Sequence, residues 1–308
     1  MENVSDMPVF TIPSKTAGPR LLISAGVHGD EFEPMIAAWK LIQQTPSILK
    51  AGAVTIVPRV NISACMLGTR TGADQLDLAR SCPGNLHGTV TEMNAAQISA
   101  LIEQVDYFID LHTGGKMFDI YPLAGYMMHP SAEILNEQRA MAKAFNFPVI
   151  WGTDVSPNGR TLSVARDANV PAIYIEFGGG DCVRSEIIEA VIQGCVNVMK
   201  SLKMTEAPPA LNSQFKWQIE DNAPNNGYLQ GMMPAPSKGI FISKVNPGEK
   251  VKKGQLWGVL FDSATGSQQD IRADKNGLVL FVRRSALVVE GDSLGGILPV
   301  GDRKPDKE

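Results

Sequence analysis

The first two thirds of the chain alternate between two textures. Short, continuously apolar runs occur at residues 20–25 (RLLISA), 54–60 (VTIVPRV), 107–111 (YFIDL) and 172–177 (AIYIEF). Unbroken rather than alternating apolarity predicts strands buried on both faces, as in a mostly parallel sheet. Between them, residues 33–45, 90–103, 132–145 and 184–202 carry apolar positions at helical spacing. Strand and helix in alternation predict an α/β domain, a mostly parallel sheet flanked by helices, over residues 1–205. The pattern then changes. TEAPPALNS is polar and Pro-rich and predicts a linker at 206–213. Beyond it, Gly and Pro punctuate short β-prone runs at 239–245, 256–261, 277–282 and 286–290, with no segment of helical period. Residues 214–308 therefore read as a small C-terminal all-β domain, and the closing GDRKPDKE as a frayed tail.

Composition narrows the partners. Apolar residues make up 44% of the 308 positions and charged residues 19%, enough to build substantial cores and too apolar for a disordered chain. Lys and Arg number 28 against 32 Asp and Glu, a net charge of −4, and no basic run marks a nucleic-acid surface. No apolar stretch approaches the roughly 20 residues that span a bilayer. MENVSDMPVF lacks the basic region and apolar core of a signal peptide, and the four cysteines (65, 82, 182, 195) show no C-x-x-C spacing. The expectation is a cytoplasmic protein that acts on a small molecule, with neither nucleic acid nor membrane as partner.

Ligands of open α/β sheets bind beyond the carboxyl ends of the strands, so the residues that follow each strand carry the functional information. GVHGDE follows the first and supplies His28 and Glu31, three residues apart on a turn entering a helix. Asn61 follows the second, with Arg70 and Arg80 on the polar loop GTRTGADQLDLARSCPG. His112 closes the third in D-L-H, and Glu176 closes the fourth, before three glycines. Two His and one Glu form the donor set of a catalytic zinc, with a position left for water. Separately, each motif is a commonplace hydrogen-bonding arrangement; converging on one sheet edge, they point to a metal. Glu176 is a costly residue at the end of a buried strand unless it faces a site, where it can move a proton; its alternative is a carboxylate that caps the next helix or pairs with an arginine. One arginine can stabilise an oxyanion and another can clamp a carboxylate, although arginines on a polar loop are more commonly solvated. His87 and His129 read as structural.

The segments GVHGDE, RVNISACMLGTR, DLARSCPG, DLHTGG and IYIEFGGG, spread over about residues 20–180, resemble the succinylglutamate desuccinylase/aspartoacylase family, a zinc-carboxypeptidase-like branch of α/β hydrolases. The resemblance implies one Zn2+ held by His28, Glu31 and His112. It implies Glu176 as general base and proton shuttle, Arg70 as the group that polarises the scissile carbonyl, and Arg80 as a substrate contact. Asn61 and Arg160, the latter in SPNGRTL, are further substrate-binding candidates. The family reads D-L-N-R where this chain has Asp77-Leu78-Ala79-Arg80, so the carboxylate clamp lacks an amide. The segment GTVTEM through GYMMHP is similar to bacterial deacylases near N-acetyl-diaminobutyrate deacetylase, which implies a small N-acyl amino acid as substrate. The competing expectations are a metallocarboxypeptidase or amidase acting on a peptide-like substrate, and a catalytically silent metal-binding sensor.

The C-terminal run from APSKGIF to GDSLGGIL resembles the barrel-sandwich hybrid of lipoyl and biotin carrier domains, with Ala264-Thr265-Gly266-Ser267 where a carrier has its lysine hairpin. No lipoyl or biotin group is expected there. The domain is expected to shape the site entrance or to support a homo-oligomer.

Overall fold

A computed structural model describes residues 7–206, 215–224, 227, 229 and 232–300. The expected linker lies outside these residues apart from Glu206, as does the C-terminal tail. The chain groups into two compact units. The first holds the described residues of Met1–Thr113, Pro122–Glu176 and Val183–Asn226, and the second those of Gly114–Tyr121, Phe177–Cys182 and Gly227–Glu308.

In the first unit, β2 (Arg20–Ala25), β3 (Ala53–Val57), β4 (Tyr107–His112) and β7 (Ala172–Gly179) lie parallel in the order β3-β2-β4-β7. The registers align Ser24 with both Val57 and Asp110, and His112 with Glu176. Leu21, Leu22, Ile23, Ile56, Phe108, Ile109, Ile173 and Ile175 are fully buried, as expected of strands covered on both faces. β1 (Phe10–Pro13) adds an antiparallel edge beside β3. On the other side β5 (Phe118–Met127) pairs with β7 and, in parallel, with β6 (Val149–Thr153).

The helices fall into two packed groups. One comprises α1 (Phe32–Ile48), α4 (Ala132–Phe145) and α6 (Ser185–Ser201); the other comprises α2 (Ile62–Leu67), α3 (Val90–Ile102) and α5 (Thr161–Asp167). Local chemistry sets several of their ends. Thr89 and Glu92 form a reciprocal capping box that starts α3, and Asn146 takes the left-handed conformation that stops α4.

The division between units differs from the one expected at 205 and 214. Trp217–Glu220, expected in the β domain, forms β8 and pairs in parallel with β6, aligning Val149 with Trp217. Arg139 of α4 grips Glu220 bidentately at 2.7 and 2.7 Å, and the Tyr126 hydroxyl donates to the same carboxylate. A four-residue strand carries no pattern that says which sheet it will join; these side chains decide it. The hydrogen bonds from Arg139 outweigh partial burial and hold the Glu220 carboxyl down at about 2, against an ordinary 4.5. A depressed carboxyl stabilises the fold above its unfolded pKa, and that stability is lost as pH falls through the folded value. Glu220→Gln is therefore expected to cost about 2 kcal/mol near neutral pH. The gap to wild type should close between pH 4.5 and 2, read from unfolding midpoints across that range.

The second unit is all β. β9 (Gly239–Ser243), β11 (Leu256–Phe261), β12 (Gln268–Arg272) and β14 (Leu287–Val288) form an antiparallel sheet in the order β12-β11-β9-β14. β13 (Gly277–Arg283) pairs antiparallel with β10 (Lys250–Val251), with β15 (Gly295–Leu298) and with Phe118–Ile120 of β5. Both sheets contribute to one core around Trp257, Leu260, Val279 and Leu294, where the indole N–H of Trp257 donates to the Leu294 carbonyl at 3.2 Å. Among the described residues, no helix is long and apolar enough to cross a membrane.

Candidate metal centre and active site

The turn after β2 places the first two reactive groups. A Cβ on Gly29 would fall 1.9 Å from the Ala64 carbonyl oxygen, so only glycine lets this turn lie against α2. Gly26, at φ +70°, has Cys65 and Arg59 at 3.0 and 3.1 Å from where its Cβ would be. The turn thus drives His28 and Glu31 inward, and both are buried. His112, at the end of the neighbouring β4, is buried beside them. Glu31 gives one oxygen to each ring: Oε1 lies 2.7 Å from His28 Nδ1, and Oε2 lies 2.9 Å from His112 Nδ1.

Each ring has a second carboxylate on its far nitrogen. Asp77 Oδ1 lies 3.2 Å from His28 Nε2, and Asp110 Oδ2 lies 3.0 Å from His112 Nε2. Burial alone would raise the Glu31 carboxyl, but the charges of His28 and His112 outweigh it and hold the group at about 2. Burial likewise works against a charged His112, and the Asp110 and Glu31 carboxylates overcome it, lifting the ring well above its ordinary value.

The donor atoms of His28, Glu31 and His112 all lie within 4.8 Å of one another, and the three residues are buried. This donor set suits a divalent cation: nitrogen and oxygen ligands converge, and each imidazole is backed by a carboxylate that fixes its orientation. Neither Asp77 nor Asp110 was assigned a role from sequence, although Asp110 stands two residues before His112 on a strand, the spacing that puts both on one face.

Glu176, three residues before the end of β7, lies directly across from His112 in the register. Its Oε2 is sealed from solvent and has no hydrogen-bond partner among the described residues. Burial pushes the carboxyl up to about 8, against the opposing pull of His112. Tyr174, two residues earlier, lies in the field of Glu176 and Arg160, and burial raises its phenol.

The arginines are organised by Asp77. Its Oδ2 accepts from Arg70 Nε at 3.0 Å, with Nη2 at 2.9 Å, while Oδ1 caps the short turn Leu78–Arg80 by accepting the Ala79 N–H at 2.9 Å. Burial opposes the Asp77 charge, but the hydrogen bond from His28 and the charges of His28, Arg70 and Arg80 hold it well below the carboxylate range. Asp77 therefore joins a metal-group histidine to the arginine loop. Arg160 reaches the same place from α5's leading turn. Gly159, at φ +83°, has the Arg80 carbonyl oxygen 2.7 Å from where its Cβ would be, and its own carbonyl accepts the Cys82 N–H at 3.0 Å. Burial first, and the charge of Arg80 second, lower the Arg160 pKa. Arg160 Nε is buried without a partner among the described residues. Two guanidiniums whose charges act on each other favour an anion nearby.

Asn61 is a correction. Its side chain is fully buried and caps α2 by accepting the Ala64 N–H at 3.1 Å, and its Nδ2 points to Thr91. An amide held in this way orders the scaffold. His129 accepts the Ser131 N–H on Nδ1 at 3.0 Å and faces the Arg166 carbonyl with Nε2, a structural placement; His87 is exposed.

The fold and site together define an α/β protein with a buried two-histidine, one-glutamate group that could hold a metal ion, beside a carboxylate raised by burial. The model of the succinylglutamate desuccinylase/aspartoacylase catalytic domain matches residues 17–202, and the chain belongs to that family. It is 30% identical over 300 residues to N-alpha-acetyl-L-2,4-diaminobutyric acid deacetylase from Halomonas elongata, covering 94% of this chain and 85% of that protein. The product-bound structure of the ectoine utilization protein EutE (DoeB) from Ruegeria pomeroyi superposes with a TM-score of 0.85 at 26% identity, covering 94% of this chain and 88% of that one. A succinylglutamate desuccinylase/aspartoacylase structure from Rhodobacter sphaeroides shares the fold, with a TM-score of 0.83 at 24% identity, and covers 94% and 87%.

Proposed function

We propose that this protein is a zinc-dependent deacylase that hydrolyses the amide bond of a small N-acyl amino acid. The observation that carries the reading is the pairing of the His28–Glu31–His112 group with a Glu176 oxygen that is buried and has no hydrogen-bond partner among the described residues. Zinc held by those three residues supplies Lewis-acid chemistry, acidifying water and polarising an amide carbonyl.

The chain's own groups do the rest. Burial raises the Glu176 carboxyl, which suits it to accept a proton from the attacking water and deliver it to the departing amine. Arg70, tethered by Asp77, offers its guanidinium to the oxyanion that develops on the amide carbonyl oxygen. Arg80 and Arg160 take the substrate carboxylate between them. Ala79 has no side-chain amide, and its N–H is held by Asp77, so carboxylate recognition falls to the arginines alone. The Halomonas elongata relative, named for an N-acetylated diamino acid, favours an N-acetyl amino acid as the substrate class.

Hydrolysis of N-acetyl, N-succinyl and N-formyl amino acids and of short peptides by the zinc-loaded protein tests this reading. Release of free amine from an N-acyl amino acid is expected. Cleavage of peptides alone would instead make the protein a metallocarboxypeptidase or amidase. Zinc binding without turnover of any compound would leave a sensor.

A further inference from the structure

This inference rests on the metal-centre reading above. We propose that Thr161 is a positioning residue for the metal centre: its hydroxyl holds the Asp110 carboxylate in the orientation that braces His112.

Asp110 is 1% exposed and sits on the same face of β4 as His112. A carboxylate buried this deeply is costly unless its lone pairs are filled. Two hydroxyls from outside β4 fill them. Ser24 of β2 donates to Oδ1 at 2.6 Å, and Thr161, the first residue of α5, donates to Oδ2. The same Oδ2 faces His112 Nε2 at 3.0 Å. With Asp110 on Nε2, the Nδ1 atom of His112 is directed at Glu31, on the side where the donor atoms converge.

Thr161 is 3% exposed and reaches Asp110 across 51 residues of sequence. Ser24 constrains only the other oxygen. Without the threonine hydroxyl, Oδ2 keeps His112 as its one remaining partner and the carboxylate is held less firmly about its terminal torsion, so the backing of the His112 ring is loosened. Groups that orient a metal ligand in this way change metal affinity by about 10–100-fold when removed.

The test is Zn2+ affinity by competition with a chromogenic chelator, beside the unfolding midpoint of the metal-free protein. Thr161→Val keeps the shape and removes the hydroxyl; it is expected to weaken Zn2+ about tenfold. Thr161→Ser returns the hydroxyl without the methyl and is expected to bind within about twofold of wild type, since the hydroxyl is what orients the ligand. A role confined to packing would give the reverse order, with the serine variant no better than the valine. Ser24→Ala, which removes the donor to the other oxygen, provides an independent reading and is also expected to weaken Zn2+. Wild-type affinity in both Thr161→Val and Ser24→Ala would overturn the proposal while leaving the metal centre intact. A wild-type protein that binds no Zn2+ would overturn the centre and this proposal together.

Discussion

Replacing Glu176 with glutamine is expected to lower kcat by about 10³-fold while leaving Zn2+ affinity within about twofold, because general acid–base groups carry factors of this order. The size follows from where the carboxyl stands. Oε2 is buried with no hydrogen-bond partner among the described residues. Burial lifts it to about 8, which suits a group that must both accept and release a proton. Glutamine matches the shape and cannot accept the proton. Glu176 also lies outside the ligand group, so zinc content should not follow activity. Single-turnover rates at saturating zinc, with zinc measured on the same samples, read both halves. A glutamine variant with wild-type turnover would remove Glu176 from the chemistry.

Replacing Glu31 with alanine is expected to weaken Zn2+ by more than the roughly 100-fold upper range seen for supporting residues, because the proposed function makes Glu31 itself a ligand. Its two oxygens lie between the Nδ1 atoms of His28 and His112 at 2.7 and 2.9 Å. Removing it takes away a candidate ligand and the negative charge that lets two imidazoles approach in a buried place. The Thr113 N–H, 3.3 Å from Oε2, also loses that acceptor. Zinc per chain after dialysis is expected to be near zero, and amine release should fall to background. Stoichiometric zinc in this variant would mean the cation sits elsewhere.

Much of the α/β architecture was legible because its strands are covered on both faces and so read as unbroken apolar runs. Elements outside that rule were missed. β5 contains Pro122 and Gly125, residues that argue against a strand. The glycine is there because a Cβ would fall 2.2 Å from the Tyr174 ring, which the sequence does not display. β12, Gln268–Arg272, is almost entirely exposed and polar, and β8 is four residues long. Each is specified by its partner strand rather than by its own pattern.

The candidate metal ligands were readable because chemistry at strand ends follows from topology. The residues behind them were less so. Asp77 and Asp110 lie in motifs that the sequence makes visible, but which imidazole nitrogen each backs depends on packing. Thr161 is joined to Asp110 across 51 positions, a pairing with no local trace. Asn61 misled for the opposite reason: a polar residue after a strand is as good a helix cap as a ligand, and burial made it the cap.

The measurement that bears most directly on a zinc deacylase is free-amine release from N-acetyl amino acids, wild type beside Glu176→Gln, both loaded with zinc. The predicted result is turnover by the wild type and near silence from the variant at equal zinc content. Equal rates in the two proteins, or no release from any N-acyl amino acid by a fully zinc-loaded wild type, would contradict it.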